Sequence, residues 1–262
     1  MTECDRARRR VSRPVLLLSA VTWLMLGVNP GGIVSAAHCP AIICGASPPS
    51  FRLLLAITPL SAWAAGWALM LAAMMSPTLI APVQHVVERN LRRRRFQAVG
   101  LFVAGYAVIW MAAGGGLLAA SLVLGMMVRD SYLPAAAVGL IAFVWQCSPV
   151  KQRCLNRGHN HSALAAFGLA ADRDALGFGL THGVWCVGSC WALMLFPMLL
   201  PQGHIAAMAA VTIQMISERL DQPGPLVWRL RGPGKLLRMV VAQTRIRLRA
   251  WPSVSASSTS VA

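Results

Sequence analysis

The feature that most constrains the fold is a series of apolar stretches close to the length of a membrane-spanning helix. A spanning helix needs about 20 predominantly apolar residues, and such windows can be placed about six times along the chain. The windows are residues 15–35, 62–86, 96–118, 133–149, 175–200 and 204–220. The sequence therefore predicts an all-α, polytopic transmembrane helix bundle of about six spans.

Three features of these stretches affect where they end. An Asn-Pro-Gly-Gly run at 29–32 can end the first stretch early, and the fourth and sixth stretches are short for a bilayer. Residues 119–128 stay apolar beyond three consecutive glycines at 114–116, which predicts an interfacial extension of the third stretch. Pro77 and Pro82 should loosen the second stretch and leave carbonyls of the preceding turn without partners.

Basic residues divide the segments between the stretches into two alternating classes. Of the 24 Lys and Arg residues, only Arg52 and Arg129 lie in the segments that alternate with the basic ones. All the others fall in residues 1–14, 87–95, 150–174 and 219–262. Because the cytoplasmic segments of membrane proteins are enriched in Lys and Arg, we expect a protein of the cell (cytoplasmic) membrane with both termini in the cytoplasm.

The composition favours a chain surrounded by lipid and argues against a nucleic-acid partner. Hydrophobic residues make up 56% and charged residues 12% of the sequence, which is typical of integral membrane proteins. The net charge of +16 would suggest nucleic-acid binding only if the basic residues formed one face of a globular fold. We expect a basic cytoplasmic N-terminus at 1–14, a transmembrane bundle at 15–220, and a basic, partly disordered cytoplasmic tail at 221–262. The mixed apolar and basic tail favours contact with anionic lipid, and a solvated tail fits the pattern equally.

The fifth stretch contains side chains that bind soft metal ions. His182, Cys186, Cys190, Met194 and Met198 recur at intervals of four, and residues four apart on a helix are offset by about 6 Å along the axis and about 40° around it. Adjacent pairs or triples could therefore share one ion, whereas the accumulated rotation separates all five. Polar groups are costly in lipid and often mark function, but cysteine also packs as a small apolar residue.

Other sulfur-containing side chains lie in the second stretch and at the end of the fourth. Met74 and Met75 are thioethers, which are ligands for Cu(I), although methionine is also a common packing residue. Cys147 and Cys154 are separated by Pro149, so a regular helix joining them is not expected.

The remaining polar and aromatic groups have simpler interpretations. Three histidines are interpreted as interfacial or solvated: His85, His159 and His161. Three aromatic residues at helical spacing are interpreted as packing residues: Phe102, Tyr106 and Trp110. Glu218 can pair with Arg219, or, if it faces inward, act as a counter-charge or a ligand. Only Cys39 and Cys44 fall in a predicted exported loop, where an oxidising compartment can pair them.

Four segments and a late glutamate resemble a known family in combination. The segments are AAMMSPTLIAP, FVAGYAVIW, WQCSPVKQRCL and HGVWCVGSCWALM. Together they resemble an uncharacterised bacterial family of predicted metal-binding integral membrane proteins, over roughly residues 62–219. The resemblance implies a multi-pass membrane protein that binds metal and has no established reaction. It carries over the following positions: Met74, Met75, Pro77, Gln146, Pro149, Lys151, Cys154, His182, Cys186, Cys190, Trp191, Met194 and Glu218.

This chain departs from the family pattern at two thiol positions. Ser189 precedes Cys190 where the family tends to have a Cys-Cys pair before the tryptophan, and Gly158 stands where a second cysteine tends to follow Cys154. Each departure removes a thiolate.

These observations predict a membrane protein that binds a soft metal ion, copper before others, for transfer or homeostasis. Sulfur and imidazole donors favour Cu(I) over Mg²⁺ or Ca²⁺. The predicted ligands are Cys186, Cys190, His182, Met194, Met74, Met75, Cys154 and Glu218. An unidentified membrane or metal-delivery partner is also expected.

Two alternatives remain. In the first, the chain is a non-catalytic membrane scaffold or assembly partner in which Cys and Met only pack. In the second, which is weaker, Cys186 and Cys190 perform redox chemistry. Cα atoms four apart on a helix lie near the upper limit for an unstrained disulfide, and the sequence has no CxxC. No nucleotide loop, hydrolase triad or zinc-protease motif is present, so we do not expect an enzyme.

Overall fold

The computed structural model describes residues 3–28, 60–127, 131–160, 162–165, 167–200, 202–232 and 234–249. Over these ranges the chain is helical and contains no strand, which confirms the all-α prediction there. The helices are α1 Glu3–Val28, α2 Leu60–Met75, α3 Ile80–Arg89, α4 Arg95–Met127, α5 Leu133–Cys147, α6 Pro149–Gly158, α7 Gly168–Met198, α8 His204–Arg219 and α9 Gly234–Arg249. Residues 29–35 and the predicted Cys39–Cys44 pair lie outside the described residues.

Four helical segments within these ranges are long and apolar enough to cross a membrane. They are Val11–Val28, Trp63–Arg89, Arg95–Leu124 and Gly168–Met198. A fifth is added if α5 and α6, which meet at a bend of 66°, are counted as one broken span. The 16-residue α8, at the position of the predicted sixth span, is not among them. The described helices thus give four or five candidate spans where the sequence pattern predicts six.

The second predicted span is broken as its prolines suggest, but the break is well hydrogen-bonded. After α2 the chain forms a 3₁₀ turn over Ser76–Leu79 before α3 begins. The Ser76 hydroxyl donates to the Ala72 carbonyl, and the Thr78 hydroxyl donates to the Met75 carbonyl at 2.8 Å. Pro77 leaves the Ala73 carbonyl without its helical donor, as expected, and the Ser19 hydroxyl of α1 donates to this carbonyl at 2.8 Å instead.

The third span continues through its glycines instead of ending near them. α4 extends without a break to Met127, so residues 119–127 belong to the same helix as the rest of the third stretch. Gly114 serves packing here, because a Cβ at that position would overlap the indole of Trp67. The same indole donates a hydrogen bond to the Trp110 carbonyl at 3.0 Å, which joins α2 to α4.

Helices α4 and α7 cross with their backbones close together. A Cβ at Gly179 would overlap the carbonyl oxygen of Phe102, and a Cβ at Gly183 would lie 2.9 Å from the Cβ of Ile109. Small residues at such positions let two helix backbones touch. Because the contacts advance in the same direction along both helices, α4 and α7 run parallel. The chain between them must therefore return to the side where α4 began, and α5 and α6 make that return.

We expect Gly179→Ala to destabilise the protein and Gly177→Ala to leave it unchanged or slightly more stable. A methyl group at 179 overlaps the Phe102 carbonyl, and overpacking of this kind lowers the free energy of unfolding by about 1–3 kcal/mol. A methyl group at 177 meets no atom within 4 Å and should add up to about 1 kcal/mol through helix propensity. Thermal unfolding of the purified protein in detergent measures both variants, and equal melting temperatures would contradict the close crossing.

Candidate metal centre

One face of α7 brings the predicted soft ligands into the interior. His182, Cys186, Cys190 and Met194 are each at most 4% exposed, and Met198 is partly buried at the end of the helix. The spacing of four thus places these side chains along the buried side of α7.

The two thiols on this face have distinct hydrogen-bonding partners. The Cys186 sulfur lies 3.4 Å from the Tyr106 hydroxyl of α4, within hydrogen-bonding distance for sulfur. The Cys190 thiol donates to the Cys186 carbonyl at 3.0 Å, and the Ser189 hydroxyl donates to the same carbonyl at 2.7 Å. Cys186 and Cys190 are free cysteines, so the pair is available as two buried thiols.

Methionines from three helices pack in the same cluster as these thiols. They are Met70, Met74 and Met75 of α2, Met194 of α7, and Met208 and Met215 of α8. Within the part of the chain that the structure describes, no three His, Cys, Asp or Glu side chains converge as a metal site. The other sulfur donors in this cluster are thioethers, which, like thiols, suit a soft ion.

His182 lies one turn before Cys186 and is surrounded by rings. Its imidazole centroid is 6.0 Å from those of Phe102 and Tyr106 and 5.9 Å from that of Phe178. Tyr106 therefore contacts both His182 and Cys186, which links the two predicted ligands through α4.

Arg219, at the end of α8, places a positive charge beside the thiols. Its guanidinium lies close enough to Cys186, Cys190 and Tyr106 to act on them electrostatically. The side chain passes Gly158 so closely that a Cβ there would lie 2.5 Å from the Arg219 Nη1 atom. The glycine that removes a thiol from the family pattern therefore leaves room for this arginine.

A buried ion pair lies on the same side of the thiols. The Lys151 side chain is fully buried, and its Nζ atom is 2.9 Å from each Glu218 carboxylate oxygen. Gln146 accepts from Lys151 and donates to Glu218, and Gln214 also donates to Glu218 at 2.8 Å. The carboxylate of Glu218 is thus engaged with Lys151 and two amides, as its counter-charge interpretation requires.

The segment after α8 packs against this ion pair through Arg231. The Arg231 guanidinium donates to the Gln152 side chain at 2.9 Å and to the carbonyls of Gln146 and Ser148. Burial lowers the pKa of Arg231 from its ordinary value, and the neighbouring Arg229 acts in the same direction. Residues 221–232, the first part of the predicted tail, are therefore attached to α6.

Cys154 does not join the thiol pair. Its sulfur lies 2.9 Å from the position that a Cβ of Gly188 would occupy. Gly188 is two residues from both Cys186 and Cys190, and two residues correspond to about 200° around a helix. Cys154 therefore contacts the opposite side of α7.

Pro149 and Lys151, which the resemblance carries over, lie at the break between α5 and α6. Ser148 ends α5 and caps α6, where its hydroxyl accepts from the Lys151 backbone N–H at 3.1 Å, and Pro149 occupies the first turn. The expected interruption between Cys147 and Cys154 is thus confirmed. Trp191 packs edge-to-face against Trp145, with ring centroids 5.5 Å apart.

The sequence that forms this site also matches a known protein family. The profile of the copper chaperone family PpoB2 matches residues 64–241. The chain belongs to this family. The predicted relation to copper is therefore confirmed at the level of the family. No curated protein and no solved structure matches the chain.

The family match includes the thiols and the charged residues next to them. We call Lys151, Glu218, Arg219 and Arg231 the charged layer. It extends past residue 219, where the resemblance ended, and so takes in Arg231 and the segment attached to α6. In this copper chaperone family member, two residues near the thiols were not predicted as part of the site. Tyr106 was interpreted as packing and Arg219 as a partner of Glu218. The one signal for Tyr106 was its hydroxyl in an otherwise apolar stripe.

We expect Lys151→Met to destabilise the protein strongly. Removal of the ammonium leaves the Glu218 carboxylate buried without its cation, which lowers the free energy of unfolding by about 3–5 kcal/mol. The double variant Lys151→Met, Glu218→Gln should recover much of this loss, because no unpaired charge remains. Thermal unfolding in detergent measures both. A single variant as stable as the double variant would show that the ion pair is not buried in this way.

Proposed function

We propose that the chain is a multi-pass membrane copper chaperone that carries Cu(I) between the thiolates of Cys186 and Cys190 and transfers it to a partner not yet identified. The observation that carries the proposal is the buried thiol pair on α7, packed among methionines, in a member of a copper chaperone family. Copper is the cargo, and no chemical conversion of it is required.

The donor set favours Cu(I) over harder ions. Two thiolates on adjacent turns supply strong soft ligands, and a thioether from Met74, Met75 or Met194 can complete a three-coordinate site. His182 is the imidazole alternative for the third ligand, since it lies one turn from Cys186. We assign Glu218 to the neighbouring ion pair and Cys154 to the other side of α7, outside the ligand set.

The charges around the thiols also match a monovalent cargo. Two thiolates and one Cu(I) carry a net charge of −1, whereas two thiolates and one divalent ion are neutral. Arg219 and Lys151 interact with the Cys190 thiol, and Glu218 pairs with Lys151. These side chains together supply one net positive charge, and in a site away from water such compensation is strong.

Tyr106 has a supporting role in this arrangement. Its hydroxyl lies 3.4 Å from the Cys186 sulfur and can donate a hydrogen bond to the thiolate without binding the ion. A donor of this kind orients a ligand and stabilises its charged form.

The proposed location is the cytoplasmic membrane, with both termini in the cytoplasm. Four or five candidate spans support membrane insertion by length and composition, and the distribution of Lys and Arg supports the orientation. Parallel packing of α4 and α7 supports a crossing by α5 and α6, and α8 then leads the chain back toward the starting side. The basic helix α9 is suited to contact with anionic lipid.

We expect Cys186→Ser and Cys190→Ser each to weaken Cu(I) binding by more than about a hundredfold, since changes outside the ligand shell already cost about 10–100-fold. Cys154→Ser, a buried thiol on the other side of α7, is the matched control and should bind as the wild type does. Competition with a chromophoric Cu(I) chelator under reducing conditions measures the affinity. Wild-type affinity in the Cys186, Cys190 double variant would instead support a scaffold in which Cys and Met only pack.

We further expect Arg219→Gln to weaken Cu(I) binding by about 10–100-fold, because the bis-thiolate complex loses its nearest compensating charge. Arg219→Lys should retain part of the affinity, and Arg229→Gln, which alters an exposed arginine of the following segment, should have no effect. The same chelator competition measures all three. If Arg219→Gln and Arg229→Gln bind copper equally well, charge matching by Arg219 is excluded.

A further inference from the structure

A second concave site lies outside the copper centre, between α6 and the segment that follows α8. It is an open cavity of about 490 Å³, a volume within the range of small-ligand pockets. Its lining residues are Arg153, Asn156, Arg157, His159, Asn160, Pro223 and Leu226. None of the lining residues is acidic.

The cations of this cavity are not neutralised by nearby carboxylates. Arg153 is exposed and takes part in no ion pair within the described ranges. Arg157 is held over the indole of Trp185, with its guanidinium carbon 5.5 Å from the ring centroid. Two carboxylates precede the Pro223–Leu226 side of the cavity in the chain, and both are paired, Glu218 with Lys151 and Asp221 with Arg229. The cavity therefore presents uncompensated positive charge.

His159 lies beside these arginines and is positioned by two backbone carbonyls. Its Nδ1 atom lies 2.9 Å from the Leu155 carbonyl oxygen, and its Nε2 atom lies 3.2 Å from the Arg219 carbonyl oxygen. These two contacts fix the position of the imidazole at the wall of the cavity.

The walls of the cavity are fixed by hydrogen bonds between its two sides. The Asn156 amide donates to the Gly224 carbonyl at 2.8 Å and accepts from the Gly224 N–H at 3.1 Å. This pair of bonds holds the segment after α8 against α6. The positive groups are thus presented by a preformed surface rather than by a loose loop.

We infer that this cavity binds an anion of the phosphate class. Arginine guanidinium groups match phosphate oxygens in geometry and charge, and Asn160 supplies a further polar group at the rim. Two sources can supply such a group: free inorganic phosphate and the headgroup of an anionic phospholipid. The inference does not rest on copper binding by Cys186 and Cys190.

The test uses the full-length protein, with inorganic phosphate and phosphatidylglycerol as probes. Phosphate binding is measured by calorimetry in neutral detergent, and phosphatidylglycerol retention by native mass spectrometry after reconstitution in mixed phosphatidylcholine–phosphatidylglycerol nanodiscs. Arg153→Gln changes an exposed side chain and should weaken binding roughly tenfold, as for loss of one charged hydrogen bond. Arg153→Gln combined with Arg157→Gln should weaken it further. Arg173→Gln, an exposed arginine of α7 outside the lining, is the matched control.

The outcomes separate the two sources and the negative case. Loss of phosphate binding in the Arg153 variants but not in Arg173→Gln supports a site for the free anion. Loss of phosphatidylglycerol retention with the same selectivity supports a headgroup site. Equal effects of Arg153→Gln and Arg173→Gln would indicate only general attraction to a basic chain and would overturn the inference, as would wild-type binding of both probes by the double variant.

Discussion

The contact between the backbones of α4 and α7 determines where the chemistry of this protein lies. Gly179 meets the Phe102 carbonyl directly, and Gly183 meets Ile109. At this separation the Tyr106 hydroxyl reaches the Cys186 sulfur. Bulkier residues at the crossing would move the two helices apart, and Tyr106 would no longer touch the thiol. The same crossing buries the α7 face that bears His182 and Cys190.

The charged layer next to this crossing is an unusual feature for the interior of an apolar bundle. A buried ion pair such as Lys151 with Glu218 contributes little net stability, because desolvation offsets much of the attraction. We interpret the ion pair instead as part of the set of charges that surrounds the thiols. Arg219 and Lys151 both act on the Cys190 thiol, and Arg231 fixes the backbone around Gln146 from the other side. The segment after α8 is therefore part of the site's support.

Interactions between residues close together in the chain could be predicted from the sequence, whereas those between distant residues could not. The buried face of α7 followed from spacing alone, because helical geometry is local and places Cys186 and Cys190 on adjacent turns. The break at Ser148 was likewise signalled by Pro149. The partnerships of Tyr106 with Cys186 and of Lys151 with Glu218 join residues far apart in the chain, and no local pattern specifies them. The number of candidate spans differs from the prediction because α8 has 16 residues, fewer than the roughly 20 that a spanning helix needs.

The hydrogen bond from Cys190 to the Cys186 carbonyl has a consequence for how this thiol binds a metal ion. The carbonyl can only accept, so Cys190 keeps its proton for as long as the bond exists. A thiolate that binds metal has no proton to donate, and loading must therefore end this bond. On the proposed function, copper uptake is an exchange of protons for the ion. Release is the reverse exchange, in which a returning proton restores the bond within α7 and helps to displace the cargo.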